Sequence, residues 1–218
     1  MNRFNPGRRA TLSALLATPF LSLKVQAQGS DWPNRPVRVV VPWPPGGGAD
    51  TTARMIFPKL AQKLGQPFVI ENRPGASGSI GAAEVARSAP DGYTLLHDAT
   101  PLAINPFLLR VSFDALVDLK AVFLPMQVPM LLVMNPAQAP KSLAEVIALA
   151  KARPGSLDWA SSGNGSAQHL ALELFTRAAG ITVNHVPYRG GGPALTDVVA
   201  GQVGYFFSNS NVSLPFVQ

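Results

Sequence analysis

The segment PWPPGGGAD, residues 42–50, constrains the fold of this chain more than any other. It follows an apolar, β-branched run, Val37–Val41, and precedes a helix predicted from Thr51 to Leu64. A buried strand that passes through prolines and three glycines into a helix is typical of α/β proteins, whose ligands bind at the carboxyl ends of the strands. Glycine backbones and helix N-termini offer unpaired N–H donors that favour anions. The sequence therefore predicts a site for a carboxylate or a phosphate.

The rest of the chain alternates strand-like and helix-like segments, which is the pattern of βαβ units and parallel sheets. Further strands are predicted over residues 68–71, 94–96, 130–134, 157–160, 182–186 and 204–207. Further helices are predicted over residues 81–87, 143–152, 167–179 and 193–200. Ser142 and Glu145 form a capping box at the start of one of them. The predicted fold class is α/β.

Residues 1–27 have the composition of an export signal. Arginines precede an uncharged, mostly apolar run, Ala10–Leu23, and Val25-Gln26-Ala27 supplies small residues for cleavage near Ala27. The run is shorter than the about 20 apolar residues that span a bilayer. We therefore predict a periplasmic protein whose signal peptide is cleaved, with a membrane anchor or a buried helix as the alternatives. Both Sec and twin-arginine export stay open.

Removal of this segment leaves a nearly neutral protein. It holds 4 of the 18 basic residues and none of the 12 acidic ones, so the net charge falls from +6 to +2. No basic block or basic–aromatic pattern follows, which argues against a nucleic-acid partner. The chain has no cysteine, so disulfides and thiolate chemistry are excluded.

Four polar loops follow predicted strands, and three of them contain glycine. They cover residues 42–50, 72–82, 97–105 and 161–169. In the first, Asp50 is most simply the helix N-cap, or else a ligand contact, and Trp43 either walls a pocket or belongs to the core. In the fourth, Ser166 can cap the helix that follows. Two anion-competent loops, one early and one late, suggest two lobes that face one ligand.

Catalytic motifs are incomplete in these loops. Gly46–Gly48 lacks the Lys-Ser/Thr ending of a P-loop, and residues 163–168 lack the third small residue of a dinucleotide fingerprint. Residues 75–79 end in serine where a nucleophile elbow has glycine. The histidines, His97, His169 and His185, lie far apart without the spacing of metal ligands.

Five motifs, in order between Trp32 and Val203, resemble one family. They are PWPPGGGAD, ENRPGASGSIGAAEVARSAPDGYTLL, PKSLAEVIALAKARPG, SSGNGSAQHLALELF and HVPYRGGGPALTDVVAGQV. Together they resemble the periplasmic substrate-binding receptors of tripartite tricarboxylate transporters, also called Bug receptors. The resemblance implies a two-lobed α/β Venus-flytrap protein that closes over a small carboxylate and delivers it to inner-membrane permease subunits. It implies a monomer that is not an enzyme and uses no metal or organic cofactor.

The resemblance also implies a division into lobes. Residues 28–127 would form the first lobe, without the segment that returns to complete it, and residues 128–218 would form an incomplete second lobe. Family members continue past the position of Gln218, so we expect a C-terminally truncated receptor.

Ligand-binding residues are carried over by motif position. The first lobe would contribute Trp43, Gly46, Gly47, Gly48, Asp50, Ser77 and Thr100. The second would contribute Ser161, Ser162, Asn164, Gly165, Ser166 and His169. Tyr188 and Arg189 are nearby candidates, although a turn and a helix start explain them equally well. His97-Asp98 replaces a small serine- or threonine-rich run, and an acid there would disfavour some anions.

Two alternatives from other classes stay open. One is a secreted α/β hydrolase with Ser77 or Ser166 as the nucleophile and a distant histidine. The other is a nonfunctional remnant of the receptor that binds nothing. The sequence does not identify the carboxylate. A backbone anion site binds the carboxylate group, whereas the shape of the pocket selects the rest of the ligand.

Overall fold

The computed structural model describes residues 32–138 and 140–217, so the predicted signal peptide lies outside the described residues. The strands are β1 (Val37–Val41), β2 (Phe68–Asn72), β3 (Thr94–Leu96), β4 (Met130–Met134), β5 (Asp158–Ser161), β6 (Asn184–Pro187) and β7 (Tyr205–Asn209). The helices are α1 (Gly48–Leu64), α2 (Ser79–Ala86), α3 (Pro101–Leu108), α4 (Leu143–Ala152), α5 (Ala167–Ala179), α6 (Gly191–Val199) and α7 (Ser210–Ser213).

The seven predicted strands are confirmed to within two residues at each end, but two predictions about helices are wrong. Helix α1 begins at Gly48, three residues earlier than predicted. The segment 97–105, predicted to be a loop, enters α3 at Pro101. Proline is well suited to a first helical position, but Pro106 lies inside the same helix, where proline is normally disfavoured. The two prolines conceal this helix in the sequence.

The first sheet is parallel throughout and has the order β2-β1-β3. Its central strand, β1, is buried at four of five positions, because helices cover a parallel sheet on both faces. This burial explains why four of its five residues are valine. The carboxyl ends of the three strands lie at one edge, where the loops that follow β1, β2 and β3 begin.

The second sheet has the order β4-β7-β5-β6, with β4 antiparallel to β7 and the other pairs parallel. Successive side chains of β5 point to opposite faces. Trp159 packs on one face with Val146, Leu172 and Tyr205, and Ala160 packs on the other with Phe206. Because β5 is parallel to both β6 and β7, the loops that follow these three strands leave the sheet at a common edge.

The two sheets are joined by residues 109–129, which contain no helix or strand. Strands β1–β3 precede this segment, and β4–β7 follow it. Within residues 32–138 and 140–217, no helix combines the length and apolar character needed to cross a membrane.

Replacing Ser142 with alanine is expected to lower the free energy of unfolding by about 1 kcal/mol. The Ser142 hydroxyl accepts a hydrogen bond from Glu145 N at 3.2 Å, and the Glu145 carboxylate accepts one from Lys141 N at 2.9 Å. These bonds satisfy N–H groups at the start of α4 that otherwise lack a partner. Urea denaturation measures the loss. Ser142→Asp retains a capping oxygen and should stay close to native; an equal loss in both variants would contradict the capping role.

Candidate functional site

The loop between β1 and α1 lies directly against the loop between β6 and α6. A Cβ added at Gly190 would lie 2.5 Å from Pro44 Cγ, and one added at Gly192 would lie 3.0 Å from the Pro45 carbonyl oxygen. Gly190 also has a φ of +150°, which residues with a side chain rarely adopt. The contact between the loops therefore requires glycine at these positions, and it joins the edges of the two sheets.

The N-termini of α1 and α6 come together at this contact. A Cβ added at Gly47 would lie 3.8 Å from Gly192 N and 3.9 Å from Gly191 N. The N-cap residues are Gly47 and Gly190, so no side chain caps either helix. Each helix start carries a partial positive charge, and two such charges in proximity favour an anion beside them.

Ser162 adds a hydroxyl to the same place. Its Oγ is buried and has no hydrogen-bond partner among the described residues. A Cβ added at Gly191, the first residue of α6, would lie 3.2 Å from this oxygen. The hydroxyl is therefore available to bond a group held at the start of α6.

Asp50 shapes the first glycine loop from within α1. Its carboxylate accepts hydrogen bonds from Gly46 N, Arg54 Nε and Asn72 Nδ2, each at 2.9 Å. Because Gly47 is the N-cap, the prediction that Asp50 caps α1 is wrong. Burial by itself raises the pKa of Asp50, but the bonds from Arg54, Gly46 and Asn72 outweigh it, and the pKa is lowered. An ionised carboxylate thus holds the loop in shape.

The loop after β2 is strained and reaches the second sheet. Its residues Gly75–Gly78 all have positive φ, although Ala76 and Ser77 carry side chains that disfavour it. The Ser77 hydroxyl donates to the Asn164 carbonyl oxygen at 2.5 Å. Ser77 therefore links the loop after β2 to the loop after β5, two of the predicted ligand-binding segments.

Two serines of the loop after β5 hold that loop in shape. Ser161 Oγ accepts from Gly163 N at 3.1 Å and lies 2.7 Å from His185 Nε2. Ser166 Oγ accepts from His169 N at 3.2 Å, which confirms the predicted cap of α5. These hydroxyls are engaged within the loop, whereas that of Ser162 is not.

Two histidines that are distant in sequence meet beside this loop. The rings of His169 and His185 stack with centroids 4.1 Å apart, and His169 Nδ1 accepts from Gly165 N at 3.2 Å. Burial lowers the pKa of His185, and the neighbouring His169 lowers it further. The sequence separation concealed this pair. Within the described ranges, no group of three or more His, Asp or Glu side chains is placed to hold a metal ion.

The remaining predicted residues occupy varied positions. Trp43 is buried and donates from Nε1 to Asp98 Oδ1 at 2.7 Å. Thr100 is exposed and precedes α3 without a side-chain capping bond. The Tyr188 hydroxyl donates to Asp197 at 2.7 Å, and Arg189 is exposed. Of these four, Trp43 is placed most directly at the edge of the first sheet.

Three asparagines at the site were missed by the sequence prediction. Asn105 donates to the Ser77 carbonyl oxygen at 2.8 Å, and Asn211 donates to the Gly48 carbonyl oxygen at 3.3 Å. A Cβ added at Gly48 would lie 2.8 Å from the Asn209 amide nitrogen. The polar run that follows β7 was the available signal for Asn209 and Asn211. For Asn105, the unrecognised helix α3 concealed the position.

Among the described residues, neither Ser77 nor Ser166 has the serine–histidine hydrogen bond that the hydrolase alternative requires. Ser77 Oγ donates to a carbonyl and Ser166 Oγ accepts from a backbone amide, as described above. Among the described residues, the serine hydroxyl that contacts a histidine ring is that of Ser161, which is fully buried. A separate groove of about 360 Å³ contains none of the predicted residues; Met55, Ile56, Lys59, Leu60, Lys63 and Met126 line it.

Residues 52–218 match the tripartite tricarboxylate transporter family receptor. The chain belongs to this family. Protein BugT of Bordetella pertussis is 39% identical over 212 residues, which cover 96% of this chain and 64% of BugT. A UPF0065 protein of Pseudomonas sp. strain P51 is 38% identical over 201 residues, which cover 91% of this chain and 60% of that protein. This chain thus spans less than two thirds of the curated relatives it matches.

Solved structures of family receptors have the same fold. Rpa4515 of R. palustris, in a structure with adipate, has a TM-score of 0.82 at 37% identity over 85% of this chain and 63% of Rpa4515. MatC of Rhodopseudomonas palustris, with bound malate, has a TM-score of 0.76 at 34% identity over 85% of this chain and 64% of MatC. The predicted family and the α/β periplasmic-binding-protein fold are confirmed, and the family is one of receptors, not enzymes.

Proposed function

We propose that this protein is an extracytoplasmic solute receptor that binds a small carboxylate between its two sheets and delivers it to an inner-membrane tripartite permease. The observation that carries the proposal is the convergence of two uncapped helix N-termini, those of α1 and α6, beside the unpartnered hydroxyl of Ser162. Such an arrangement offers backbone N–H groups and a hydroxyl to a carboxylate, and it needs no buried cation.

One cation beside the first glycine loop is already paired within the protein. Arg54, in the second turn of α1, bonds Asp50 and is therefore engaged in holding the loop. A carboxylate at the helix starts would rely on hydrogen bonds, and these strengthen when contact between the loops excludes water. The predicted contacts from Trp43, Ser77 and the loop after β5 remain proposals on this basis.

The rest of the assignment follows the family. The sheet β1–β3 would belong to a first lobe within residues 28–127, and the sheet β4–β7 to a second within residues 128–218. Adipate and malate in the related structures support a small dicarboxylate class for the ligand. The export signal, the periplasmic location, the monomeric state and the permease partner are proposed with it.

A thermal-unfolding screen tests the proposal with di- and tricarboxylates, acidic amino acids and aromatic acids. A ligand at a hundredfold excess over its Kd stabilises the folded state by about 2.7 kcal/mol. We expect one class of acid to raise the unfolding temperature. A cooperative transition that no acid moves would contradict the receptor function and would favour the remnant.

Ser162→Ala is the matched variant for this site. Loss of one hydroxyl that donates to a carboxylate is expected to weaken binding about tenfold. The control is Ser156→Ala, because Ser156 is exposed and its hydroxyl bonds the Arg153 carbonyl oxygen away from the glycine loops. Equal affinities of the native protein and the Ser162→Ala variant for the acid would show that Ser162 does not bond the ligand.

A further inference from the structure

Six buried side-chain polar atoms of the described residues have no hydrogen-bond partner. Two of them, on Trp159 and Tyr205, belong to the core of the second sheet. The other four follow the carboxyl ends of strands, and they are Asp98 Oδ2, Asn105 Oδ1, Ser162 Oγ and Asn211 Oδ1. Buried polar atoms are normally bonded, so each of these four atoms calls for a partner from outside the protein. Three of the four atoms are hydrogen-bond acceptors in their present arrangement.

Asp98 presents one satisfied oxygen and one unsatisfied oxygen. Its Oδ1 accepts from Trp43 Nε1 and from Ala99 N, both at 2.7 Å. These two bonds fix the orientation of the carboxyl group and leave Oδ2 buried without a donor. No ion pair of the described residues includes Asp98. The group is therefore an acceptor that the protein itself does not satisfy.

Asn105 presents a second such acceptor. Its side chain is buried, and Nδ2 donates to the Ser77 carbonyl oxygen at 2.8 Å and to Ser79 Oγ at 3.0 Å. A carbonyl oxygen can only accept, so the amide orientation is determined and Oδ1 is the free acceptor. This oxygen lies 3.9 Å from the Cβ position built at Gly165, in the loop after β5.

Both acceptor side chains lie beside the loop after β2, which contacts the second sheet. Asn105 bonds Ser77, and Asp98 Oδ1 lies 3.5 Å from the Cβ position built at the next residue, Gly78. Ser77 is also the residue that bonds Asn164 across to the second sheet. Burial raises the pKa of Asp98 to about 7, although the bonds from Trp43 and Ala99 lower it. In the ionised form, which dominates above pH 7, Oδ2 is an acceptor that has no donor.

We propose that Asp98 and Asn105 are specificity-determining residues that select ligands carrying a hydroxyl or ammonium donor in addition to the carboxylate. The inference rests on the proposed function and narrows its ligand class from plain diacids to hydroxy or amino acids. A ligand with such a donor satisfies acceptors that are already buried and oriented. A ligand without one leaves them unpaired, and sites built around hydrogen bonds discriminate strongly against such analogues.

Isothermal titration calorimetry of the purified protein tests this with two matched series of acids. The first is succinate, malate and aspartate; the second is glutarate, 2-hydroxyglutarate and glutamate. We expect the hydroxy or amino member of at least one series to bind about tenfold more tightly than the plain diacid. The comparison between malate and aspartate, or their longer counterparts, distinguishes a hydroxyl from an ammonium donor.

The Asp98→Asn variant is the decisive comparison because it keeps the shape of the side chain. Its oxygen can still accept from Trp43 and Ala99, so an NH₂ donor replaces the Oδ2 acceptor. The preference for an amino acid, whose ammonium can only donate, should disappear or reverse. A ligand hydroxyl can also accept from the new NH₂ group, so Asp98→Ala, which offers neither a donor nor an acceptor, tests the preference for a hydroxy acid. Asp91→Asn is the matched control, because Asp91 is partly exposed and pairs with Arg35 before β3. It should retain the native preference.

The outcomes separate the two proposals. If plain diacids bind native protein as tightly as their hydroxy and amino counterparts, or if the preference survives in Asp98→Asn and in Asp98→Ala, the inference is overturned and the receptor function stands. An equal loss of affinity for all members of a series in both variants would show a structural role for Asp98 and also overturns the inference. If no acid in either series or in the wider screen binds native protein, the receptor function itself fails.

Discussion

Gly190→Ala is expected to weaken carboxylate binding ten- to about a hundredfold, because it prevents the contact between the two glycine loops. The new methyl group would lie 2.5 Å from Pro44 Cγ and 2.7 Å from Pro44 Cδ. Neither loop can shift to relieve this clash without strain, because Pro44 is a rigid ring and Gly190 has a φ of +150°. Overpacking of this kind costs about 1–3 kcal/mol, and it would destabilise the arrangement in which the N-termini of α1 and α6 meet.

The control for this variant is Gly155→Ala. Gly155 also has a positive φ, +76°, but a Cβ added there meets nothing within 4 Å. It therefore carries backbone strain without the clash between loops. Calorimetry with the acid identified in the screen measures affinity, and thermal unfolding without ligand measures stability. If both variants bind equally well, the contact at Pro44 has no part in ligand binding.

Asp50→Ala is expected to lower the free energy of unfolding by about 3 kcal/mol at pH 7 and to abolish tight binding. The substitution leaves Gly46 N without its acceptor, removes one of the two acceptors of Asn72 Nδ2, and removes the carboxylate partner of Arg54. The estimate is at the low end for a buried pair, because Arg54 is 53% exposed and can be solvated. Urea denaturation measures the loss. Asp91→Ala is the control, and its exposed pair with Arg35 should contribute less than about 1 kcal/mol.

The contribution of Asp50 should also depend on pH in a defined direction. Its folded-state pKa is lowered from the ordinary value of 3.8, so the folded protein holds fewer protons than the unfolded chain as the group titrates. The stability that Asp50 provides is therefore complete above pH 3.8 and is lost as pH falls through the folded-state pKa. The difference in stability between native protein and Asp50→Ala should narrow below that pH. A difference that stays constant under acid conditions would argue against an ionised Asp50.

Local patterns account for the parts of the fold that were predicted correctly. The burial of the valines of β1, the capping of α4 by Ser142 and the capping of α5 by Ser166 all depend on residues within a few positions of one another. The ordered motifs, which resemble one family, likewise lie within single segments. Helix α3 was missed for the same reason, because Pro101 and Pro106 locally resemble helix breakers.

Periodicity and motif spacing are local properties, so they were enough to predict the α/β class, the strand positions, the family and the loops that would carry a site. The contacts that those loops make were visible only in the three-dimensional structure. It placed Gly190 against Pro44, brought Asn72 to Asp50 and left Asp98 Oδ2 without a donor. Such contacts join residues up to a hundred or more positions apart. They depend on how the loops of the two sheets pack against each other, and a local pattern of residues does not specify that packing.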